Sequence, residues 1–200
     1  MGRLRRTIAG VNARELMLPA ADPVVAVVEA VKPDQLELRT PCSDYDLRGL
    51  INHFAGTTVW LERMGRRLPP DADDPFGANS DVTTGDWQTL LVARIRAVAA
   101  AWHEPSAWEG SIEGVQLPAA MIGDMALTEL LIHGWDVAAA TGQQVDYGDA
   151  AAREVHRCVA ETAQLGRQMG AYGVEMPVSG DASVFDRTLG LAGRDPNWTP

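Results

Sequence analysis

Lysine is almost absent from this chain. Lys32 stands alone, and arginine supplies the rest of the 17 positive charges, against 27 acidic groups. With a net charge of −10 and a pI near 4.8, the chain lacks the clustered cationic surface that phosphate backbones require, so no nucleic-acid partner is expected. Cysteine is just as sparse. Cys42 and Cys158 make no disulfide framework and read as reduced thiols of a cytoplasmic protein. Long apolar runs are missing too. None approaches the ~18 residues that span a bilayer, so no membrane association is expected. The one basic cluster, Arg3, Arg5 and Arg6, faintly suggests a signal peptide. The "TIAGVNARELM" that follows is interrupted by Asn12, Arg14 and Glu15, so it offers no apolar signal core.

What is present is helical period. Apolar residues recur at helical spacing from about Ile8 to Val31, with Pro23 inside as a kink or a new start. "RTPCSDYD" reads as a loop into a helix, with Ser43 able to cap and with Asp44 and Asp46 suited to the positive helix end. Further helices are expected over about Asp46–Arg66, Asp86–His103, Ala119–Thr141 (with Gly142 as C-cap) and Asp149–Gly170. The fifth carries Val155, Val159, Thr162 and Leu165 as its stripe. A Pro-, Asp- and Gly-rich loop follows the second helix, and "EPSAWEGSIEGVQLP" has room for a short strand or hairpin around Ser111–Leu117. "FDRTLGLAGRDPNW" has room for one short helix. No repeat or linker breaks the chain, so residues 1–200 read as a single all-α domain, a helical bundle. Trp60, Trp102, Trp108 and Trp135 sit at spacing that suits the core.

One segment is out of character. "TELLIHGWDVAAATGQ" is apolar on several sides, as a buried helix is, yet it carries Glu129, His133 and Asp136. At about 100° per residue, His133 lies roughly 40° from Glu129 and Asp136 roughly 20° the other way, so all three share one face. Two buried carboxylates need something positive opposite them. His53, in "LINHFAG" beside Leu50 and Phe54, lies on or near the apolar stripe of the second helix. A Glu-x-x-x-His pair is also an ordinary surface contact, and a buried histidine is also an ordinary core residue. Their occurrence on two separate apolar helices points to a two-His, one-carboxylate metal set, His53, Glu129 and His133, with open coordination positions. Asp136 then acts either as a base or as the acceptor that orients a ligand imidazole. His103, at a helix end, is expected to meet the last carbonyls. His156, among Arg153, Glu154 and Arg157, reads as a solvated face. Cys42, near a helix N-terminus, reads as a turn residue whose pKa that end could lower, and Cys158 reads as packing.

"TPCSDYDLRGLINHFAG", "ELLIHGWDVAAATGQ" and "LGLAGRDPNW" together resemble the small actinobacterial metal-binding proteins of the DinB-like superfamily, related to the N-terminal domain of mycothiol-dependent maleylpyruvate isomerase. The resemblance runs from about Thr40 to Trp198. It implies an up-down-down-up four-helix bundle and a divalent metal, zinc or nickel, held by His53, Glu129 and His133. It also implies a low-molecular-weight thiol such as mycothiol as cosubstrate. Because the sequence stops soon after "GRDPNW", that enzyme's additional C-terminal domain is not expected here, and maleylpyruvate isomerisation itself is not the expected reaction. Tyr45 stands where tryptophan is usual and Phe54 where leucine is usual, neither being expected to touch a ligand. The expected function is therefore a metal-dependent thiol S-transferase or isomerase-like enzyme acting on a small electrophile, as a monomer or homodimer. The alternatives are a non-catalytic metal-binding or ligand-sensing bundle, and a plain helical scaffold.

Overall fold

A computed structural model describes residues 12–69 and 81–200. Arg3, Arg5 and Arg6, the expected helix start at Ile8, and most of the loop after the second helix lie outside them. Among the described residues there are six α-helices: α1 Ala13–Glu29, α2 Leu47–Gly65, α3 Trp87–His103, α4 Ala119–Ala140, α5 Gly148–Gln168 and α6 Val184–Leu191. Three short 3-10 turns, Pro33–Gln35, Val82–Thr84 and Pro105–Trp108, join them. Among the described residues there is no strand, and β pairing is limited to the bridges Arg39–Asp46 and Ser111–Pro118. The second of these closes the insert where a hairpin was expected.

α1 and α2 each pack against both α3 and α4, which puts four helices around one apolar core. α5 docks on α4 and α1, and α6 on α5. The all-α bundle expected from the periodicity is what forms. None of the described helices is long and apolar enough to cross a membrane.

α1 runs unbroken through Pro19 and Pro23. Both prolines lie off the buried stripe of Met17, Ala20, Ala21, Val24 and Val28. The ring clash and the lost amide therefore fall on the outer side, where water can serve the freed carbonyls. α2 is capped by Asp46, whose Oδ1 accepts from the Gly49 amide at 2.7 Å; Ser43 does not cap it. The loop before it is closed on itself. The Thr40 hydroxyl lies 2.9 and 2.8 Å from the carbonyls of Cys42 and Tyr45, and the amides of Leu47 and Arg48 return to Leu38 and Leu36. That closure fixes Tyr45 beside the second turn of α2.

α4 is buried nearly all round, and two glycines allow it. A Cβ at Gly134 would lie 2.6 Å from Tyr147 Oη and 2.8 Å from Val24, and one at Gly123 would meet the Trp108 ring at 2.6 Å. The helix ends in a left-handed Gly142, with the Gln143 amide returning to Ala138. α5 buries Ala151, Val155, Cys158, Val159 and Ala163. Leu165, expected on that stripe, is instead 42% exposed, because it stands at the mouth of a cavity described below. Of the tryptophans, Trp102 is fully buried, donating to the Leu61 carbonyl, while Trp60, Trp108 and Trp135 are partly buried at the edges of the core.

Candidate metal centre

His53 comes from the second turn of α2, and Glu129 and His133 from successive turns of α4. One ligand atom from each lies within 4.8 Å of those of the other two. Glu129 Oε1 is 3.2 Å from His53 Nε2 and 3.3 Å from His133 Nε2. This oxygen is buried and makes no hydrogen bond, since neither ring nitrogen is aligned to donate to it. A buried carboxylate oxygen left without a donor costs about 1–3 kcal/mol or more. A cation among the three atoms removes that cost, and two imidazole nitrogens with one carboxylate oxygen form a donor set suited to a divalent zinc-class ion with open positions. The residues fit such an ion.

Both imidazoles are held from behind. His133 Nδ1 lies 2.9 Å from Asp136 Oδ2, one turn on, so the ring's proton belongs on Nδ1 and the Nε2 lone pair faces the centre. Asp136 is wholly buried, and Arg194 approaches it with Nη2 3.1 Å from Oδ2 and Nε 3.4 Å from Oδ1. The third guanidinium nitrogen donates to the Ala192 carbonyl. The Tyr45 ring stacks on His53, with centroids 4.9 Å apart and planes within 20°, and Phe54 tilts against His133 at 5.9 Å. The expectation that neither substituted position touches a ligand residue is therefore wrong. The closed loop before α2 brings the Tyr45 ring onto the exposed face of the imidazole.

The electrostatics follow from this packing. Burial pushes the Glu129 carboxyl up, but the His133 and His53 imidazoles beside it outweigh this and hold the pKa below the usual carboxylate range. Burial pushes His133 down, but Glu129 and Asp136 outweigh it and raise its pKa. Asp136 is raised by burial and lowered further by Arg194 and His133, so it stays ionised.

Two cavities open on these residues. One, of about 370 Å³, runs from Cys42, Ser43, Asp44 and Tyr45 to His53. The other, of about 140 Å³, lies between α4 and α5. Both are lined by Glu129, His133, Ala171, Tyr172 and Arg194. Gly166 makes room for Tyr172, whose ring a Cβ there would run into.

The remaining candidates lie elsewhere. His103 does not reach its own helix's carbonyls; its Nδ1 is 3.3 Å from the Arg14 carbonyl of α1. His156 is half-buried rather than fully solvated, because α6 packs beside it and brings Thr188 Oγ1 to 3.1 Å. Burial raises the Cys42 pKa, which outweighs any help from a nearby helix end. Asp124, Glu154 and Cys158 form a second group of ligand-type residues. There Arg157 already supplies the cation, at 2.9 and 3.0 Å from the two Asp124 oxygens, 2.8 Å from Glu154 and 3.3 Å from Cys158 Sγ. This hub ties α5 to α4, and burial pushes its thiol up.

The model of the mycothiol maleylpyruvate isomerase N-terminal domain family matches residues 17–138, which include all three donors and Asp136. The chain belongs to that family. Two uncharacterized proteins of Mycobacterium tuberculosis, from strains CDC 1551 / Oshkosh and ATCC 25618 / H37Rv, are similar to it. Each is 30% identical over 185 residues, covering 88% of this chain and 93% of its own length. No solved structure matches the chain. The family match ends before Tyr172 and Arg194. Sequence reasoning missed both, although it did call for a cation opposite the two carboxylates of α4.

Proposed function

We propose that this family member is a divalent-metal-dependent enzyme that joins a low-molecular-weight thiol, of the mycothiol type, to a small electrophile. The observation that carries the reading is the buried, unbonded Glu129 Oε1 between two imidazole nitrogens, at the junction of two cavities. His53, Glu129 and His133 would hold the ion, zinc or nickel. When bound, such an ion lowers the pKa of a thiol at an open position, so that a thiolate exists near neutral pH.

The chain's own residues do the rest. Asp136 accepts the His133 Nδ1 proton and fixes the tautomer that presents Nε2. Arg194 keeps Asp136 ionised and so keeps it an acceptor. Tyr45 holds the His53 ring plane. Asp136 is enclosed between His133 and Arg194, which supports a positioning role over a proton-transfer role. A reducing, cytoplasmic setting suits the two free, buried cysteines.

The test is thiol consumption by zinc-loaded protein supplied with mycothiol and a panel of electrophiles, against His53→Ala. Turnover in the wild type that is lost in the variant supports the reading. Equal rates in both, with zinc bound only by the wild type, would make this a metal-binding protein without the proposed chemistry.

A further inference from the structure

The two cavities that meet at Glu129 and His133 have walls of opposite character. The larger is lined by Ser43, Asp44, Tyr45 and His53. The smaller is lined by one face of α4, with Met121, Met125 and Ile132, and by Leu165 and Met169 of the end of α5. Two of its hydroxyls are engaged, since Thr128 donates to the Asp124 carbonyl at 2.9 Å and Thr162 to the Cys158 carbonyl at 2.8 Å. Its one cation, Arg194, is taken up by Asp136 and the Ala192 carbonyl. A carboxylate entering this chamber would lie against the apolar side chains of Met121, Met125, Ile132, Leu165 and Met169. Met125, Leu165 and Met169 are 38%, 42% and 70% exposed at its mouth. Large apolar side chains gathered at a surface opening mark a binding site, and methionines adapt to ligand shape. At about 140 Å³ the chamber is close to the ~150 Å³ cavity known to hold benzene.

We propose that this chamber receives the apolar part of the electrophile, and that the substrate class is a neutral electrophile bearing a phenyl-sized group, such as an aryl epoxide. Charged dicarboxylates of the maleylpyruvate type do not belong to that class. The polar body of the thiol lies in the larger cavity. The assignment rests on the thiol-transfer reading of the site. In the reaction the sulfur bonds to an epoxide carbon, and that carbon's bond to oxygen breaks with its electron pair going to oxygen. The thiol's proton ends on that oxygen, and the product is a hydroxy thioether with no other reactant consumed.

The test uses untagged protein with toluene and maleate as unreactive probes, followed by saturation-transfer NMR, and styrene oxide with mycothiol as reactants. Met125→Glu and Leu165→Glu are the variants. Both sites are at least partly exposed, so the fold is retained, and zinc content and melting temperature check this. Toluene is expected to bind the wild type saturably, to bind each variant about tenfold more weakly or worse, and to resist displacement by maleate. The KM for styrene oxide rises in parallel, with zinc content unchanged. Toluene that fails to bind, that binds the variants as it binds the wild type, or that maleate displaces overturns the chamber assignment. So does a dimer that both variants dissociate, because a second copy then covers the chamber. Zinc bound and thiol consumed only with charged electrophiles overturns this assignment alone. Toluene bound without zinc or thiol turnover overturns the thiol-transfer reading and the substrate class with it.

Discussion

Asp136 Oδ2 stands 2.9 Å from His133 Nδ1, one helical turn away on α4, and both groups are buried. Arg194 closes the chain of contacts from the far side. This arrangement sets which imidazole nitrogen faces Glu129 and His53, and its consequences can be measured.

Asp136→Asn removes the charge and strands Arg194. Loss of a carboxylate behind a ligand imidazole weakens metal affinity about 10–100-fold. An uncompensated buried cation costs about 3–5 kcal/mol. We therefore expect weaker zinc binding in competition with a chromophoric chelator, and a lower urea midpoint for the metal-free protein.

The pH dependence should differ between metal-free and metal-loaded protein. His133 has a raised folded pKa, so its contribution is complete below the unfolded value near 6.5 and is lost as pH rises through the folded one. Asp136 and Glu129 have depressed pKa values, so their contributions are present above their unfolded values near 4 and are lost as pH falls through the folded ones. Metal-free protein should therefore lose melting temperature at both ends. Zinc binds the deprotonated imidazole, so added zinc should abolish the loss at the alkaline end and stabilise least in acid. Thermal melts from pH 4 to 9 with and without zinc would show this, and a zinc effect independent of pH would contradict it.

Tyr45→Ala takes the stacked ring off His53 and should weaken metal binding about tenfold, the lower end of the 10–100-fold range of other supporting groups. Tyr45→Trp keeps an aromatic face there and should stay near the wild type. Zinc titration of both variants distinguishes stacking from simple apolar filling of the loop.

Gly134→Ala would gain about 1 kcal/mol of helix propensity in an open helix. Here the new Cβ meets Tyr147 Oη at 2.6 Å and Val24 at 2.8 Å. Overpacking costs about 1–3 kcal/mol, so a net loss of stability is expected in urea unfolding.

The grouping of His53, Glu129 and His133 was legible because α4 and α2 carry them at positions that spacing alone can assign to a face. Asp136 was legible for the same reason, three residues after His133. Arg194 was not, since it lies 58 residues beyond Asp136, in a loop after α6 where no periodicity gives direction. The signal available was indirect, as two buried carboxylates on α4 demanded more positive charge than His53 and His133 provide. Tyr45 was missed because its placement depends on Thr40 closing the loop before α2, a tertiary hydrogen bond with no sequence period. The α1 boundaries and its inner prolines show the converse. Pro23 suggested a break, but its position off the buried stripe let the helix continue. Leu165 followed helical spacing yet faces a cavity, which the stripe on α5 could not reveal.

The central claim is that His53, Glu129 and His133 bind one divalent ion. The most direct measurement is the metal content of protein purified without an affinity tag, by plasma mass spectrometry, for the wild type, His53→Ala and His133→Ala. About one zinc or nickel per chain in the wild type, lost in both variants, is the expected result. A wild type with no stoichiometric metal, even after dialysis against zinc, together with His133→Ala of unchanged stability, would contradict it.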